Sequence, residues 1–535
     1  MRKILLQTII SLFVLLLFAS NSAQASDRDL TFIGSGWGHG VGLSQYGAHG
    51  MALEGKGYQE ILAHYFSGTQ RTNYESLKNE SNLFQSERPL MVGLLQNQPE
   101  LVFRIEKGSA KMCFEEANLC VGTGYEGEQW KVSRNENDSC YFQRQAGVGG
   151  GYIRFEPSGS CDLSIRPDSE STVLYVPLKG RSYNNALLMG KVSPISGTLN
   201  LSLKIGIEEY VNGVQELPDT WHKEVLKAQA VASRTFAVSE LLKQGPINNF
   251  NDNQIGLCNC HLFDDDQEQN FVGYTSGLRY VNWKESVLAT SKQVLTFNNE
   301  VINTRFTSST WGKTEDNRVS GGSYFPYLVS VDDYFSFSRG LSNPFVNWSL
   351  RYDQSELARR FGFQWLNNAA VVSRNESGSV DRVHLHGIIL GHPAIVTTTG
   401  LKVREALGLH STFFNVTVSR RFSDVPVDSV FAGEILGLSE LGVTSGCTAV
   451  SYCPSQSVTR GEMAAFLVRA LKLTSQEDQR DVFIDDDGSI FETEIETLYN
   501  NGVTSGCTAV SYCPSQPVTR GEMAAFLVRA LSLVA

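Results

Sequence analysis

The sequence has no excess of positive charge and little that could hold it in a membrane. Its 535 residues include 45 lysines and arginines against 56 aspartates and glutamates, which gives a formal net charge of −11. Domains that bind nucleic acid concentrate positive charge where they meet the phosphates, so this balance argues against a nucleic-acid partner. Beyond the first twenty residues there is no apolar run long enough to cross a bilayer. Nucleic-acid binding and multi-spanning membrane proteins are therefore excluded as function classes.

The one long apolar run occupies residues 4–18 and follows Arg2 and Lys3. Small residues come next and end in an A-x-A pattern at Ala23 and Ala25, which is typical of a secretory signal peptide spanning residues 1–25. A retained membrane anchor is the alternative, although the run is short for a spanning helix. We expect an exported protein, secreted or attached to the cell surface, with no transmembrane segment after signal removal.

All ten cysteines follow the predicted signal peptide, in the compartment where disulfides persist. Two C-x5-C pairs occur in identical contexts, GCTAVSYCPSQ, so each pair is predicted to close its own loop: Cys447 with Cys453 and Cys507 with Cys513. The sequence leaves open how four further cysteines pair: Cys113, Cys120, Cys140 and Cys161. Cys258, Cys260 and His261 form a C-x-C-H corner, which could be a metal site. An unusual local disulfide, or pairing with the four earlier cysteines, is an equally good interpretation.

A glycine-rich segment at residues 32–48 reads FIGSGWGHGVGLSQYGA, with a glycine at every second position from 34 to 42. In an extended strand this spacing leaves one face bare, so we expect another backbone or a sugar to approach closely. The opposite face would carry Trp37 and His39, which favours a cleft wall over a glycine-softened strand packed against a helix. The segment lacks the further glycines and lysine of phosphate-binding loops.

The periodicity along the rest of the chain predicts an α+β fold. Short β-prone runs lie between residues 89 and 205, separated by Gly, Asn and Ser. A long helix is expected from residue 221 to about 242, followed by further strands at 286–326 and 383–414. We therefore expect a β-rich part with a long helix packed against it.

The last part of the chain repeats with a period of 60 residues, since 443–471 and 503–531 are nearly identical. Thr459 and Glu462 have the spacing of a helix capping box, and an apolar stripe follows them. Upstream helices are expected at 432–441 and 492–500. Each repeat is thus predicted to be a small all-α unit, a helix, a disulfide-closed loop and a second helix.

These repeats resemble the S-layer homology (SLH) family, through FSDV at 422–425 and TRGE at 459–462 and 519–522. The resemblance implies two repeats, 421–473 and 481–535, that bind secondary cell-wall polysaccharide. It assigns the glycan contacts to four residues: Arg460, Glu462, Arg520 and Glu522. The family usually has three repeats, and the second repeat here reads FIDD where FxDV is expected.

Glu216 stands in the segment VQELPD, shortly before the predicted long helix. Helix N–H groups favour an anion there, so a capping carboxylate is one interpretation. A catalytic general acid is the other, and it requires burial strong enough to raise the pKa of the carboxyl. The residues alone leave both interpretations open.

Four segments, at residues 36–52, 57–69, 211–237 and 305–316, together resemble the SpoIID/LytB family of cell-wall proteins. The resemblance covers residues 26–420, with a catalytic part at about 206–420, and it maps the catalytic acid of the family onto Glu216. It also implies substrate-binding positions: Trp37, His39, Ser44, Gln45, Tyr46, Gln269, Ser308 and Ser309. Some relatives hold zinc near this site, which makes zinc the candidate cofactor for Cys258, Cys260 and His261.

The chain departs from the family in order and in one motif. The GHG block normally follows a segment resembling residues 400–414, whereas here it comes first, as in a circular permutation. A serine- and glycine-rich stretch of the family reads Ser308-Ser309-Thr310-Trp311-Gly312, so Trp311 is expected to alter a substrate subsite. If the fold survives permutation, the glycine segment should fold back beside Glu216.

The resemblance implies a secreted lytic transglycosylase that cleaves the MurNAc–GlcNAc bond of peptidoglycan glycan strands with a single catalytic Glu. The tail repeats would anchor it to the cell wall through the secondary polysaccharide. The alternative is a non-catalytic peptidoglycan-binding protein that modulates an N-acetylmuramoyl-L-alanine amidase.

Overall fold

The structure is a computed structural model of the chain. It describes residues 28–77, 83–84, 86–135, 137, 139–195, 197–245, 258–264, 268–273, 280–420, 422–425, 431, 435, 438–439, 442–448, 450–474 and 481–530. The predicted signal peptide and the predicted helix at 432–441 therefore lie wholly or mostly outside the described residues. Within them, no helix combines the length and the apolar character needed to cross a bilayer.

Strands and helices are both abundant, in agreement with the predicted α+β class. The strands are β1 (Arg28–Gly34), β2 (Leu43–Ser44), β3 (Gln70–Asn73), β4 (Leu90–Gln98), β5 (Glu100–Lys107), β6 (Ser109–Phe114), β7 (Leu119–Tyr125), β8 (Gln129–Arg134), β9 (Cys140–Gln145), β10 (Tyr152–Arg154), β11 (Leu163–Pro167), β12 (Val173–Val176), β13 (Arg181–Asn184), β14 (Leu187–Val192), β15 (Leu199–Ile205), β16 (Leu262–Phe263), β17 (Gln293–Phe297), β18 (Glu300–Val301), β19 (Phe306–Thr307), β20 (Trp348–Tyr352), β21 (Trp365–Arg374), β22 (Val380–Ile389), β23 (His392–Thr399) and β24 (Phe414–Arg420).

The helices are α1 (Gln45–Leu53), α2 (Tyr58–Tyr65), α3 (Ile207–Gly213), α4 (Lys223–Gln244), α5 (Val281–Ala289), α6 (Gln354–Phe361), α7 (Gly400–Leu407), α8 (Arg460–Leu471), α9 (Glu492–Asn500) and α10 (Arg520–Ala530). Short 3-10 turns occupy Tyr74–Ser76, Pro177–Lys179 and Tyr334–Phe337.

The β-rich part forms two large sheets. One has the strand order β10-β9-β8-β5-β12-β13, and the other has the order β16-β4-β15-β14-β11-β6-β7. In β5 the alternating residues Leu101, Phe103 and Ile105 are fully buried, as expected for a strand with one face on the core. Side chains from both sheets belong to one continuous hydrophobic cluster, which also includes residues of α3 and α4. The strands predicted at 89–205 are confirmed.

Helix α4 is surrounded by protein rather than packed by one face. The residues predicted for its apolar face include Val225, Ala228 and Ala232, and all three are buried. Gln229 and Arg234 on other faces are fully buried as well. Arg234 tolerates this burial because it donates two hydrogen bonds of 2.8 Å to the carboxylate of Glu208. The helix begins two residues later than predicted and ends two residues later.

A second hydrophobic core joins the start of the described chain to its later part. Strand β1 lies in the middle of a three-stranded antiparallel sheet, between β20 and β24. Leu30 and Phe32 of β1 are buried in a cluster with residues of β21, β22, α6 and α7. This pairing places the N-terminal glycine-rich segment directly beside residues 400–414.

The C-terminal repeats have a third core of their own, with side chains from α8, α9 and α10. The predicted capping box is confirmed, because Thr459 Oγ1 accepts from Glu462 N at 3.2 Å and Glu462 Oε2 accepts from Thr459 N at 2.8 Å. Helix α9 has the predicted bounds.

The ten cysteines form five disulfides. Cys447–Cys453 and Cys507–Cys513 close the two repeat loops as predicted. The pairing that the sequence left open is Cys113–Cys120 and Cys140–Cys161.

Candidate functional site

The glycine-rich segment is a loop, and the prediction of an extended strand is wrong. Strand β1 ends at Gly34, and the glycines at 36, 38, 40 and 42 have φ values of +83°, +111°, +79° and +75°. A backbone that enters the left-handed region at every second residue cannot keep the extended geometry of a strand. The period of two therefore reflects alternating φ values that glycine adopts most easily.

The loop packs directly on residues 305–311. Trp37 N donates to Ser309 O at 2.8 Å, and Leu43 N donates to Arg305 O at 3.0 Å. A Cβ built on Gly38 would overlap Thr307 Oγ1, and one on Gly42 would overlap the carbonyl oxygen of Arg305. The predicted close approach is confirmed, but its partner is the protein's own backbone and not a sugar.

His39 stabilises this loop from within. Its Nδ1 accepts from Val41 N at 2.9 Å, and the ring also hydrogen-bonds the backbone of Phe306. Burial, with Arg305 and Arg404 nearby, lowers the pKa of His39 to about 3. The imidazole is therefore neutral at physiological pH and both nitrogens are engaged, which makes His39 a positioning residue in this structure rather than a free sugar ligand.

Glu216 lies seven residues before α4, and its carboxylate does not cap that helix. His222 caps α4, with its Nδ1 accepting from Glu224 N at 3.3 Å. Glu216 Oε1 instead accepts from Asn270 N at 2.6 Å, and the carboxyl also hydrogen-bonds the side chain of Gln45. Burial raises the pKa of Glu216, although both hydrogen bonds act in the opposite direction. The condition that a general acid requires is therefore met here.

Gln45 connects Glu216 to a buried polar network. It is 5% exposed, and its Nε2 donates to Gln229 Oε1 at 3.4 Å. Ser308 Oγ donates to Gln45 Oε1 at 3.4 Å, and Gln229 Nε2 donates onward to Ser233 Oγ at 3.2 Å. Gln45 follows the glycine loop directly. Its hydrogen bond to Glu216 therefore confirms that the glycine-rich segment folds back beside Glu216.

Next to Gln45 in sequence, Tyr46 belongs to a row of five rings. We call it the aromatic row, and its members in order are Trp37, Phe345, Tyr46, Trp221 and His49. Successive ring centroids are 4.8, 5.6, 4.9 and 4.4 Å apart. At one end the Trp37 side chain is 41% exposed. Half-exposed rings offer flat apolar faces together with polar edges, which suits them to stack against the C–H face of a sugar.

Three other predicted substrate residues lie behind the surface. Ser44 is fully buried and caps α1, while Ser309 is 1% exposed and accepts from Asn343 Nδ2 at 2.9 Å. Gln269 is 1% exposed and immediately precedes Asn270. These three side chains hold backbone in place, whereas Trp37, Gln45, Tyr46 and Ser308 remain the predicted residues nearest a ligand.

Trp311 is buried beneath the glycine loop and does not line a subsite. It is 8% exposed, its Nε1 donates to Ser377 O at 2.9 Å, and its ring stacks on Phe413. The expectation that this residue alters a substrate subsite is therefore not supported, because its indole packs against Gly36 and Gly40.

Nearby carboxylates are committed to structural contacts. Asp219 accepts from the N–H of Trp283 at 2.7 Å at the start of α5, and Glu224 accepts from Tyr58 N at 2.8 Å. Asp264 is buried between Lys179 and Arg181, at 2.7 and 3.1 Å. Each of these acids is held by a protein partner, and Asp264 is neutralised by two cations.

The predicted metal corner is not formed. Cys258 and Cys260 are joined in a disulfide, so neither offers a thiolate. His261 Nδ1 accepts from Met91 N at 2.9 Å, and its Nε2 lies 3.0 Å from Gly245 O. The local disulfide is thus the interpretation that the structure supports, and the residues do not fit a zinc ion.

Sequence reasoning missed Asn270, Gln229 and Phe345. Asn270 donates to Glu216 through its backbone, which leaves no side-chain signal in the sequence. Gln229 had a signal, because an amide in the middle of an otherwise apolar helix must find a partner when it is buried.

Two known protein families match parts of this chain. The family described as "Stage II sporulation protein" (SpoIID) matches residues 196–297, which include Glu216, α4 and Asn270. The family described as "S-layer homology domain" matches residues 484–524. The chain carries a SpoIID domain followed by an SLH domain. The SLH match lies within the second predicted repeat.

Two relatives support the SpoIID assignment, and a third supports the SLH assignment. The chain is 28% identical over 271 residues to "Stage II sporulation protein D" of Bacillus subtilis (strain 168), covering 47% of this chain and 73% of the relative. It is 26% identical over 201 residues to "Amidase enhancer" of the same organism, covering 36% and 24% of the two chains. It is 30% identical over 114 residues to "S-layer protein" of Bacillus thuringiensis subsp. finitimus, covering 21% and 14%. The SLH domain and the last relative support a location at the cell wall or cell surface.

The unusual chain order does not separate the motifs in space. Gly34 pairs with Phe414 across the β1–β24 ladder, and Gly38 N donates to His410 O at 2.9 Å. The glycine loop therefore contacts residues 400–414 although these two segments are far apart in sequence.

In the SLH domain the predicted glycan residues have internal roles. Arg460 is 4% exposed and donates to Tyr512 O and to Glu522 Oε1, both at 2.8 Å, which ties the first repeat to the second. Glu462 and Glu522 both accept from the N–H of the threonine three residues earlier. The side chain of Arg520 lies outside the described residues. In the structure Arg460 contributes to the contact between the repeats, and its role toward a glycan stays a prediction.

Proposed function

We propose that this protein cleaves the glycan strands of peptidoglycan at the MurNAc–GlcNAc bond, as a lytic transglycosylase with Glu216 as its single acid and base. One observation carries the proposal: Glu216 is a half-buried carboxyl whose pKa is raised by burial, and it hydrogen-bonds Gln45, the neighbour of Tyr46 in the aromatic row. The relative named "Stage II sporulation protein D" adds support.

The reaction requires two proton transfers at one carboxyl. Glu216 first protonates the glycosidic oxygen as the C1–O bond breaks, and GlcNAc leaves with that proton. The resulting carboxylate then takes the proton of the MurNAc C6 hydroxyl as this oxygen bonds to C1. The product is a 1,6-anhydro end, no water is consumed, and Glu216 returns to its acid form. Hydrolysis would need a second carboxylate to act as nucleophile or to activate water.

The neighbouring groups suit this cycle. The Asn270 N–H and the Gln45 amide stabilise the carboxylate that forms after the first transfer, while burial favours the acid that starts it. Asp219, Glu224 and Asp264 are held by their own partners, which supports a mechanism with one carboxyl.

Product analysis tests the reaction. Purified glycan strands that an amidase has stripped of stem peptides are incubated with the protein, and the ends are identified by mass spectrometry. We expect 1,6-anhydroMurNAc ends, lighter by one water than the reducing ends of hydrolysis. Reducing ends alone would contradict the single-carboxyl mechanism, and intact strands would contradict cleavage altogether.

A second candidate function follows from the relative named "Amidase enhancer". In this case the aromatic row binds glycan, and the protein stimulates an N-acetylmuramoyl-L-alanine amidase without cleaving strands itself. An amidase assay on intact walls distinguishes the two, because a purely binding role predicts equal stimulation by the wild type and by Glu216→Gln, with no anhydro ends from either.

We further propose that the SLH part binds secondary cell-wall polysaccharide. A groove of about 400 Å³ lies between the repeats and carries aromatic and charged side chains, among them Tyr452, Phe466, Arg469 and Phe491. Glu462 also lines this groove. The mixture of ring faces and hydrogen-bonding groups suits a carbohydrate chain.

Removing residues 421–535 is expected to abolish co-sedimentation with purified walls while cleavage of soluble strands continues. The SLH core shares no residue with the two cores of the preceding part, so the deletion should leave those cores intact. Undiminished sedimentation of the shortened protein would show that the wall contact lies elsewhere.

A further inference from the structure

The second SLH repeat contains carboxylates in its interior. Asp486 is fully buried and neither of its oxygens has a hydrogen-bond partner. Glu496, on α9, is 5% exposed, and its Oε2 likewise has no partner. Buried polar atoms without partners are rare in folded proteins, and buried charges without partners are costly. Two of them side by side call for a neutralising group.

The first repeat shows that these positions do not require carboxylates. Asp424 accepts from Tyr452 N at 2.7 Å, and Asp485 accepts from Tyr512 N at 2.6 Å, so the two aspartates are equivalent. The next residue is Val425 in the first repeat and Asp486 in the second.

The 60-residue period aligns Leu436 with Glu496 in the same way. An apolar pair in the first repeat is thus replaced by an acidic pair in the second. Because residues 443–471 and 503–531 of the two repeats are nearly identical, the acidic pair is a difference between two copies of one scaffold.

A third carboxylate completes the group. One oxygen from each of Asp481, Asp486 and Glu496 lies within 4.8 Å of the others, and Asp481 is exposed. Oxygen ligands lie about 2.3–2.6 Å from a calcium ion, so ligands of one ion can be no more than about 5 Å apart. The cluster therefore has the dimensions of a single-ion site with one side open to solvent.

We propose that Asp481, Asp486 and Glu496 bind one divalent cation of the hard, oxygen-preferring class, with Ca²⁺ as the best fit. Ca²⁺ accepts irregular carboxylate geometry, whereas Mg²⁺ demands near-octahedral ligands and retains its waters. Glu496 Oε1 is already engaged by Val482 N at 3.2 Å, which leaves Oε2 for the ion. The ion would link the segment before α9 to α9 itself and so stabilise the second repeat.

Glu492, at the start of α9, adds further negative charge close to this cluster, which also favours a cation there.

Calcium titration of the full chain, after removal of metals with a chelator, tests the proposal. Isothermal titration with CaCl₂ should show a site that Asp486→Asn and Glu496→Gln each weaken at least tenfold, and a parallel MgCl₂ titration should show weaker binding. Hydrogen–deuterium exchange then reports locally, since Ca²⁺ should slow exchange in α9 at residues 492–500.

The matched control is the double variant Asp486→Val, Glu496→Leu, which restores the pair of the first repeat. We expect it to lack this site and to protect α9 equally with and without Ca²⁺, so a failure to fold cannot explain the result. Two outcomes would overturn the proposal: α9 exchange in the wild type that is insensitive to Ca²⁺, or unchanged Ca²⁺ binding by the double variant. Cleavage of glycan strands is not involved in this test.

Discussion

Glu216→Gln is expected to lower the rate of strand cleavage by about 10²–10⁴-fold, the contribution typical of a positioned general acid. Glutamine keeps the shape of the side chain and can still accept from Asn270 N, but it cannot release a proton to the glycosidic oxygen. The measurement is the initial rate of anhydro-end formation on stripped strands, compared with the wild type under identical conditions.

Glu285→Gln is the matched control for this variant. Its side chain is 56% exposed on α5 and pairs only with Lys223, so its loss should leave the cleavage rate unchanged. Equal rates for Glu216→Gln and the wild type would remove Glu216 from the mechanism.

The pH dependence of cleavage follows from the raised pKa of Glu216. Its acid form persists to higher pH than that of an ordinary glutamate, and the cleavage rate should fall as pH rises through this raised pKa.

The titration of Glu216 also affects the stability of the folded protein. Because its folded pKa lies above the unfolded value, its contribution is fully present below the unfolded pKa and is lost as pH rises through the folded pKa. The Tm of Glu216→Gln should therefore rise relative to that of the wild type as pH increases from the ordinary glutamate pKa of about 4.3 through the raised pKa of Glu216.

Gly42→Ala is expected to destabilise the part of the protein that contains the glycine loop and Glu216 by about 2–5 kcal/mol. Alanine at φ +75° costs about 1–2 kcal/mol, and overlap with the Arg305 backbone adds about 1–3 kcal/mol, since a carbonyl fixed in the chain cannot rotate away. Urea denaturation followed by tryptophan fluorescence measures the change. The same displacement should slow cleavage, because Gln45 lies only three residues further on.

Gly55→Ala separates the two causes. Gly55 has φ +87°, but a Cβ there would meet nothing within 4 Å, so only the conformational cost of about 1–2 kcal/mol remains. Gly55→Ala and Gly42→Ala should differ clearly in their denaturation midpoints. Equal destabilisation would mean that the close contact between Gly42 and Arg305 is absent in solution.

The glycine loop illustrates what a local pattern can and cannot specify. The regular spacing correctly indicated a close backbone approach, yet it suggested a strand, because a period of two is shared by strand faces and by alternating left-handed residues. Only the position of residues 305–311 against the loop distinguishes the two.

The candidate site likewise combines a local signal in the sequence with contacts that only the fold provides. Glu216 was singled out by its motif, but the residues left open whether it caps α4 or acts as a general acid. Its actual partners are Asn270 N, 54 residues later, and Gln45, 171 residues earlier. Whether the pKa of Glu216 rises or falls depends on burial by these distant segments. The spacing of residues close in sequence does not reveal that burial.

What the sequence determined by itself is local: the alternation of the strands between 89 and 205, the capping box at Thr459, and the disulfide loops of the repeats. Each depends on residues a few positions apart, whose geometry the backbone fixes. The tertiary structure alone decided the conformation of the glycine loop, the internal role of Arg460, and the Cys258–Cys260 disulfide in place of a metal corner. It also brought Asp486 and Glu496 together inside the second repeat. Apart from the Cys258–Cys260 disulfide, which joins residues two positions apart, these features depend on contacts between distant segments, and such contacts form only when the cores are packed.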